Sequence, residues 1–411
     1  MKIIIIGCGK VGRALTEQLV SENHNITVID TNPKKIQTIT EDLDVMGISG
    51  NGAGITTLLE AGIAQADILI SVTGSDELNL LCCLIARKAG RCQTVARVRN
   101  PMYSQEIDFI KAQMGVSMII NPELTTAREI EKLLRFPAAS KIDTFANGRI
   151  YLVKMKVDSQ IPLDGVPVME LPSRSGSDVL VCAVERNNTV YIPDGNFILR
   201  KDDAISFVAS KEQVHRFFKH FSLPVKPIQS VMIVGGGTIG YYLAKQLLKN
   251  SVRVRIVENS LERCEALSSL LPGDGTDRHL LMEEGLGRAE AFVTLTNLDE
   301  ENILLALFAK KNSKAKLISK VNRLAFDDII EGLDIGSVIY PKYLTTDYII
   351  QHVRSMRHSA VNTIETLYRL LDNRVEALEF SILDTCPVTD IPLSELKIRP
   401  GHLICCIRRE E

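Results

Sequence analysis

Two doubly wound parallel-sheet (Rossmann-type) α/β lobes, each followed by a small α+β domain, are predicted by three features of the sequence. The first is the N-terminal stretch MKIIIIGCGKVGRALTEQLVSENHNITVID, which joins a buried-strand run, a glycine-rich turn, an amphipathic helix and a second strand ending on Asp30. The second is the continuing alternation of short apolar runs with helical patterns as far as residue 120, the mark of a parallel sheet wound by helices. The third is that the pattern restarts. VMIVGGGTIG (231–240) repeats IIIIGCGKVG (3–12), and the same offset carries Asp30 onto Glu258.

Each part of the opening stretch has a physical role. Gly7 permits the tight turn, Gly9 lets a pyrophosphate approach the backbone, and Gly12 lets helix and strand pack closely. Gly7, Cys8, Gly9, Lys10, Val11 and Gly12 therefore form a candidate phosphate turn, with the free N–H groups and positive dipole end of the following helix behind it. Asp30 is placed to accept hydrogen bonds from adenosine ribose hydroxyls, and its charge opposes a 2′-phosphate.

The chain continues with a helix over 31–42 opened by Asn-Pro, a strand over 45–49 and the turn Gly50-Asn51-Gly52-Ala53. A helix near 55–61 leads to a strand over 68–72 that ends on Thr73-Gly74-Ser75. An apolar helix over 77–88, a strand over 94–98 with Arg97 and Arg99, a helix over 104–114 and a strand over 118–120 complete the lobe. Ligand-contacting residues belong at the carboxyl ends of strands, where Asp30, Asn51, Thr73, Gly74 and Arg97 fall. Arg97 and Arg99, two apart, share a side, and the phosphate role goes first to Arg97. Asp76-Glu77 and Asp299-Glu300 stand at helix starts, where capping and dipole stabilisation are the default.

A helix over 123–135 follows Asn121-Pro122 and is stopped by Pro137. Residues 143–218 then read as short β-like runs broken by Pro, Gly, Asp and Asn, closed by a helix over 211–218 and a linker, LPVKP. In the second repeat the turn is Gly235, Gly236, Gly237, Thr238 and Ile239, with Glu258 as the acid. Asp274 matches Asn51 and Thr296 matches Thr73. Lys320 replaces Arg97, losing the guanidinium fork but keeping a charge. Leu344-Thr345-Thr346 repeats Leu124-Thr125-Thr126, and Pro387, Pro392 and Leu396 repeat Pro162, Pro167 and Leu171, so the small domain is duplicated too. The expected boundaries are a first lobe at 1–121, a connecting helix at 122–138, a small domain at 139–222 and a linker at 223–228. A second lobe at 229–340, a helical connector at 341–371 and an incomplete small domain at 372–411 follow. Residues 405–411 match 182–188, and the segment 189–207 with its closing helix has no counterpart. Either the form is truncated or another chain completes that sheet, whose open edge needs cover.

Composition narrows the function classes. The chain has 411 residues, 45% hydrophobic and 24% charged, with a net charge of −2, which gives no electrostatic footprint for nucleic acid. No run is apolar and long enough to span a bilayer, and the N-terminus lacks a signal-peptide layout. Nine cysteines with no CxxC pair read as reduced thiols used as small core residues, and Cys8 could be modified by a thiol reagent if no ligand covers it. No metal-ligand spacing appears.

With both repeats laid out, GCGKVG…ID…GNGA…VTGSDELN…ARVRNP, followed by a small β-rich domain and then repeated, resembles the KTN/RCK family over essentially the whole chain. The resemblance implies a regulatory subunit, cytoplasmic and peripheral at the inner face of the cell membrane. It implies docking on a membrane-embedded potassium-translocating subunit and control of potassium transport through binding of NAD(H) and ATP or ADP. It also implies homo-oligomeric rings, typically four double-length chains giving eight lobes. Thr73 and Gly74 would line the adenosine or nicotinamide side, and Arg97 would reach an anionic tail such as that of ATP. Many members carry Asp where this chain has Asn51, so the two repeats should differ in preference, with the first the better ATP site. The helices over 123–135 and 342–356 would cross to a neighbouring lobe, packing within their own unit being the alternative. An NAD-dependent oxidoreductase is the rival class. It needs an acid–base residue beside the nicotinamide, and no histidine lies near either expected cleft. A small-molecule or ion sensor acting through the small domain stays open.

Overall fold

The runs 3–6 and 68–71 are buried at every position, as suits strands covered on both sides. The computed structural model describes all residues except 159–160, 188, 268–269, 273–277, 323–329, 331, 334, 358–362, 371–373, 383–387, 400 and 408–411. In it these two runs are the central strands of the first lobe. Its strands are β1 (Lys2–Ile6), β2 (Asn25–Asp30), β3 (Met46–Ser49), β4 (Ile68–Ser71), β5 (Gln93–Arg97) and β6 (Met118–Ile120), all parallel in the order β3-β2-β1-β4-β5-β6. The order reverses between β1 and β4, which opens a crevice at the carboxyl ends of these strands.

The first small domain is an antiparallel sheet of β7 (Lys141–Phe145), β8 (Ile150–Lys156), β9 (Leu180–Arg186), β10 (Thr189–Tyr191) and β11 (Ala204–Ser210), ordered β10-β9-β11-β8-β7. The edge strand β7 is absent from the sequence reading, because only Ile142 and Asp143 of its five residues are buried and its apolar signal is short. The second lobe repeats the first with β12 (Ser230–Val234), β13 (Arg253–Glu258), β14 (Leu270–Pro272), β15 (Ala291–Thr294), β16 (Lys316–Lys320) and β17 (Ser337–Ile339), in the order β14-β13-β12-β15-β16-β17. A hairpin of β18 (Thr363–Leu370) and β19 (Val375–Ser381) follows. No described helix is long and apolar enough to cross a membrane.

Two long helices tie the lobes together. Asn121 caps the helix Pro122–Arg135 by accepting from the Leu124 N–H at 2.9 Å, and Pro122 suits the first turn. Its apolar residues Ala127, Ile130, Leu133 and Leu134 lie at helical spacing, and they pack on Tyr242, Leu243 and Leu247 of the second lobe. The helix Pro341–Arg357 returns the arrangement. Its Ile349, Ile350 and Val353 enter the core formed by Ile3, Leu15 and Leu19 of the first lobe. The crossing is to the other lobe of the same chain.

Polar contacts extend the link. Lys316 Nζ donates to the carbonyls of Pro137 and Ala139 at 2.8 and 2.6 Å, joining the second lobe to the entrance of the first small domain. Arg354 pairs with Glu22 of the first lobe at 2.7 Å and with Glu376 of β19 at 2.8 Å.

Ile350 is fully buried in a lobe to which its helix does not belong in sequence. Ile350→Ala is expected to cost about 2–5 kcal/mol in urea unfolding followed by circular dichroism, and Leu133→Ala a similar amount through the second lobe.

Candidate nucleotide cleft

The turn after β1 is built from backbone constraints. Gly7 has φ +102°, and its N–H donates to the Ile29 carbonyl at 2.8 Å. A Cβ on Gly12 would lie 1.8 Å from the Gly7 carbonyl oxygen, whereas one on Gly9 would meet nothing within 4 Å. Gly9 begins the helix Lys10–Ser21 without a side-chain cap, so the N–H groups of the first turn are left for a ligand. Asp30 closes the turn: Oδ2 accepts from the Cys8 N–H at 2.7 Å and Oδ1 from the Asn32 N–H at 2.9 Å. Each carboxylate oxygen keeps a second lone pair for a ribose hydroxyl. The second lobe has the same frame. Gly235 has φ +108°, and Glu258 accepts from the Gly236 and Ser260 N–H groups at 2.7 and 3.0 Å. Gly237 begins the helix Thr238–Lys249, whose first two residues are Thr238 and Ile239.

Two side chains that sequence reasoning missed hold the opposite wall. The Thr73 N–H and hydroxyl donate to Asn79 Oδ1 at 2.8 and 2.7 Å, and Asn79 Nδ2 donates to the Arg97 carbonyl at 2.9 Å. The buried amide thus clips the end of β4 to the end of β5. Asn302 does the same for Thr296, at 2.9 Å to both its N–H and its hydroxyl, and for the Lys320 carbonyl at 3.0 Å. The signal was present in the repeated Thr-x-x-Asp-Glu-x-Asn of residues 73–79 and 296–302.

The carboxylates in that motif do more than the expected capping. Ser75 is the helix cap, donated to by the Leu78 N–H. Asp76 instead accepts from the Arg99 and Asn100 N–H groups, both at 2.8 Å, and Asp299 accepts from the Asn322 N–H at 2.9 Å. From the first turn of its helix each aspartate reaches across to the loop leaving the next strand.

These elements enclose a cleft of about 670 Å³ in the first lobe. Of the residues expected there, Gly7, Gly9, Lys10, Val11, Asp30, Asn51, Thr73, Gly74 and Arg97 line it, whereas Cys8 and Gly12 do not. Cys8 contributes its N–H to Asp30 while its partly exposed side chain packs against the lobe core. Burial, reinforced by the Asp30 charge, pushes that thiol up to about 12. Lys35 and Arg99 join the lining, and the second lobe supplies Asn322, Pro341, Lys342 and Thr345. The lining therefore carries five basic side chains, Lys10, Lys35, Arg97, Arg99 and Lys342, against the single carboxylate of Asp30.

Arg97 donates to the Thr73 carbonyl, and its buried Nε has no hydrogen-bond partner among the described residues. Burial, and then the charge of Arg99, hold its guanidinium below the usual range. Arg99 donates to the Gly74 carbonyl at 2.9 Å, and the Tyr242 hydroxyl of the second lobe donates to the Arg99 carbonyl at 3.3 Å. In the second lobe Lys320 is only 7% exposed, donates to the Leu295 carbonyl at 3.3 Å and is lowered chiefly by burial. Arg263, at the position of Lys35, is turned onto the Gly236 carbonyl at 2.8 Å. Asp274 lies outside the described residues.

Removing the amide in Asn79→Ala leaves the backbone groups of Thr73 and Arg97 without their partner, with an expected loss of about 1–3 kcal/mol in urea unfolding. Only the thiolate alkylates. Iodoacetamide at pH 8 should therefore modify Cys8 roughly a thousandfold more slowly than a free thiol, gaining about tenfold per pH unit up to pH 11, as followed by peptide mass spectrometry.

Residues 3–122 and 231–341 match the TrkA-N domain, and residues 152–222 match the TrkA-C domain. The Trk system potassium uptake protein TrkA of Vibrio alginolyticus is 34% identical over 421 residues, covering 100% of this chain and 91% of its own. A Trk system potassium uptake protein TrkA homolog of Archaeoglobus fulgidus is 33% identical over 371 residues, covering 89% of this chain and 84% of its own. Among solved structures, the GsuK channel superposes with a TM-score of 0.67 at 18% identity, covering 87% of this chain and 64% of that one. The GsuK channel bound to NAD gives 0.65 at 18% identity over 90% of this chain and 67% of that one. These last two bear on the fold alone. Both halves of the sequence match one domain type, and relatives a third identical align along nearly the full length, so the chain belongs to the TrkA family.

Proposed function

We propose that the chain is the nucleotide-binding regulatory subunit of a potassium-uptake system. It binds NAD(H) and ATP or ADP without turnover, and it works at the inner face of the membrane as a homo-oligomer docked on a membrane-embedded potassium-translocating subunit. The observation that carries this reading is the composition of the first cleft. A glycine turn with free N–H groups and a ribose-facing acid sit among five basic side chains, one of which, Lys342, arrives on a helix from the other lobe. A polyphosphate bound there touches both lobes, so its binding energy depends on how they are set relative to one another. That dependence is what regulation by a ligand requires. The names of the relatives, Trk system potassium uptake proteins, support the transport context. GsuK structures bound to NAD and to ADP support the ligand class.

The clefts differ in charge. The first has Lys10 and Arg97 where the second has Thr238 and Lys320, and we assign the tighter ATP site to the first lobe.

Calorimetric titration with NADH, NAD and ATP tests this. Asp30→Ala should weaken every nucleotide, while Arg97→Ala and Lys342→Ala should weaken ATP roughly tenfold or more and NAD less. Glu258→Ala should affect only the weaker ATP-binding event. NADH absorbance should stay constant throughout. Absence of saturable binding by all three nucleotides, or steady consumption of NADH, would sink the proposal.

A further inference from the structure

The second small-domain hairpin lies on the outer face of the first small domain. Val375 and Ala377 of β19 join a cluster with Leu152 of β8, Cys182 of β9 and Val208 of β11, and Cys405 from the C-terminal segment completes it. Arg374 pairs with Glu185 of β9, and Glu379 accepts from the Ala146 N–H at 2.8 Å, so the contact is fixed by polar groups on either side of the apolar patch. Cys182 and Cys405 occupy matching positions in the two repeats. The face-to-face packing of the two small domains brings these equivalent residues together in one cluster, close enough for their thiols to interact. Cys182 is buried on β9, 3.1 Å from the Ser206 carbonyl, whereas Cys405 is partly exposed.

We propose that Cys182 and Cys405 form a reversible disulfide that locks the second small domain onto the first, with a low-molecular-weight disulfide as the oxidant.

The pair is differentiated for this chemistry. Interaction between the two thiols lowers the Cys405 thiol below its ordinary value and raises that of Cys182, whose S–H donates to the Ser206 carbonyl. The reachable cysteine is therefore the one biased toward thiolate, and the buried one is the resolving thiol. The neighbouring Cys406 is exposed, but burial and the adjacent Cys405 raise its thiol. In the first step Cys405 thiolate attacks one sulfur of the small disulfide, forming a mixed disulfide and releasing one small thiolate. In the second, Cys182 sulfur attacks Cys405 Sγ, and the leaving small thiolate takes the Cys182 proton. Two protein thiols are oxidised and one small disulfide is reduced to two thiols. In reducing surroundings the pair returns to thiols, consistent with a switch rather than a permanent staple.

The test uses the full-length chain treated with oxidised glutathione at pH 7.5, then denatured for thiol titration and mapped under non-reducing conditions. The nine cysteines should fall to seven titratable thiols, with one linked peptide pair joining Cys182 to Cys405. The link should survive Cys406→Ser, disappear in Cys405→Ser and in Cys182→Ala, and reverse with dithiothreitol. Thermal unfolding of the oxidised protein should shift upward relative to the reduced form. Nine titratable thiols, glutathione retained on Cys405 without a cross-link, or a link through Cys406 would each overturn the proposal.

Discussion

The constraint on which the rest of the structure depends is the exchange of the two crossing helices. Each carries an apolar face that it buries in the other lobe. The two lobes thus share their cores, and their relative position is set by side-chain packing rather than by the linker. The carboxyl ends of the two sheets face one another as a consequence. β17 ends at Ile339 and the second crossing helix begins at Pro341, so the residues leaving the second sheet become the roof of the first cleft.

That arrangement places charge where packing alone would not. Glu123, in the first turn of the crossing helix, lies within electrostatic reach of Arg97 and Arg99 in its own lobe and of Lys320 in the other. Burial raises its carboxyl while the two arginines oppose the shift. Arg97 is lowered by burial and by Arg99, so the unliganded cleft holds cations in an environment that disfavours them. A bound polyphosphate would relieve that cost, and part of the relief would fall on Lys342, which belongs to the other lobe. On the proposed function, ligand charge and lobe geometry would thereby be coupled through one set of side chains.

Much of this architecture was legible in the sequence because it is carried by local patterns. Apolar runs of four or five residues, glycines at fixed spacing and the prolines at helix starts, Pro122 and Pro341, identify the parallel strands, the turn and the crossing helices, and the internal repeat checks each assignment against its copy. What escaped was non-local. Asn79 and Asn302 look like ordinary polar residues on apolar helices until the fold shows them clipping two strand ends. Asp76 reads as a dipole-stabilising residue because its two donors, the Arg99 and Asn100 N–H groups, lie more than twenty residues on. Lys342 could not be assigned to the first cleft from sequence at all, since nothing local says that a residue after the second lobe closes the first.

The internal duplication separates scaffold from ligand chemistry. The groups that shape the backbone are matched across the repeats: Asp30 and Glu258 on the turn, Asn79 and Asn302 on the strand ends, Asp76 and Asp299 on the following loop. The side chains that would meet phosphate are not matched. Lys10 is replaced by Thr238, and Arg97 by a Lys320 that is buried against a carbonyl. Arg263 stands in for Lys35, but its Nε is engaged by the Gly236 carbonyl. A frame held by backbone hydrogen bonds tolerates such changes, because the acid on the turn and the amide at the strand ends are present in both repeats. On the proposed function, one backbone frame would then serve two sites of different nucleotide preference, with the shared helices joining them.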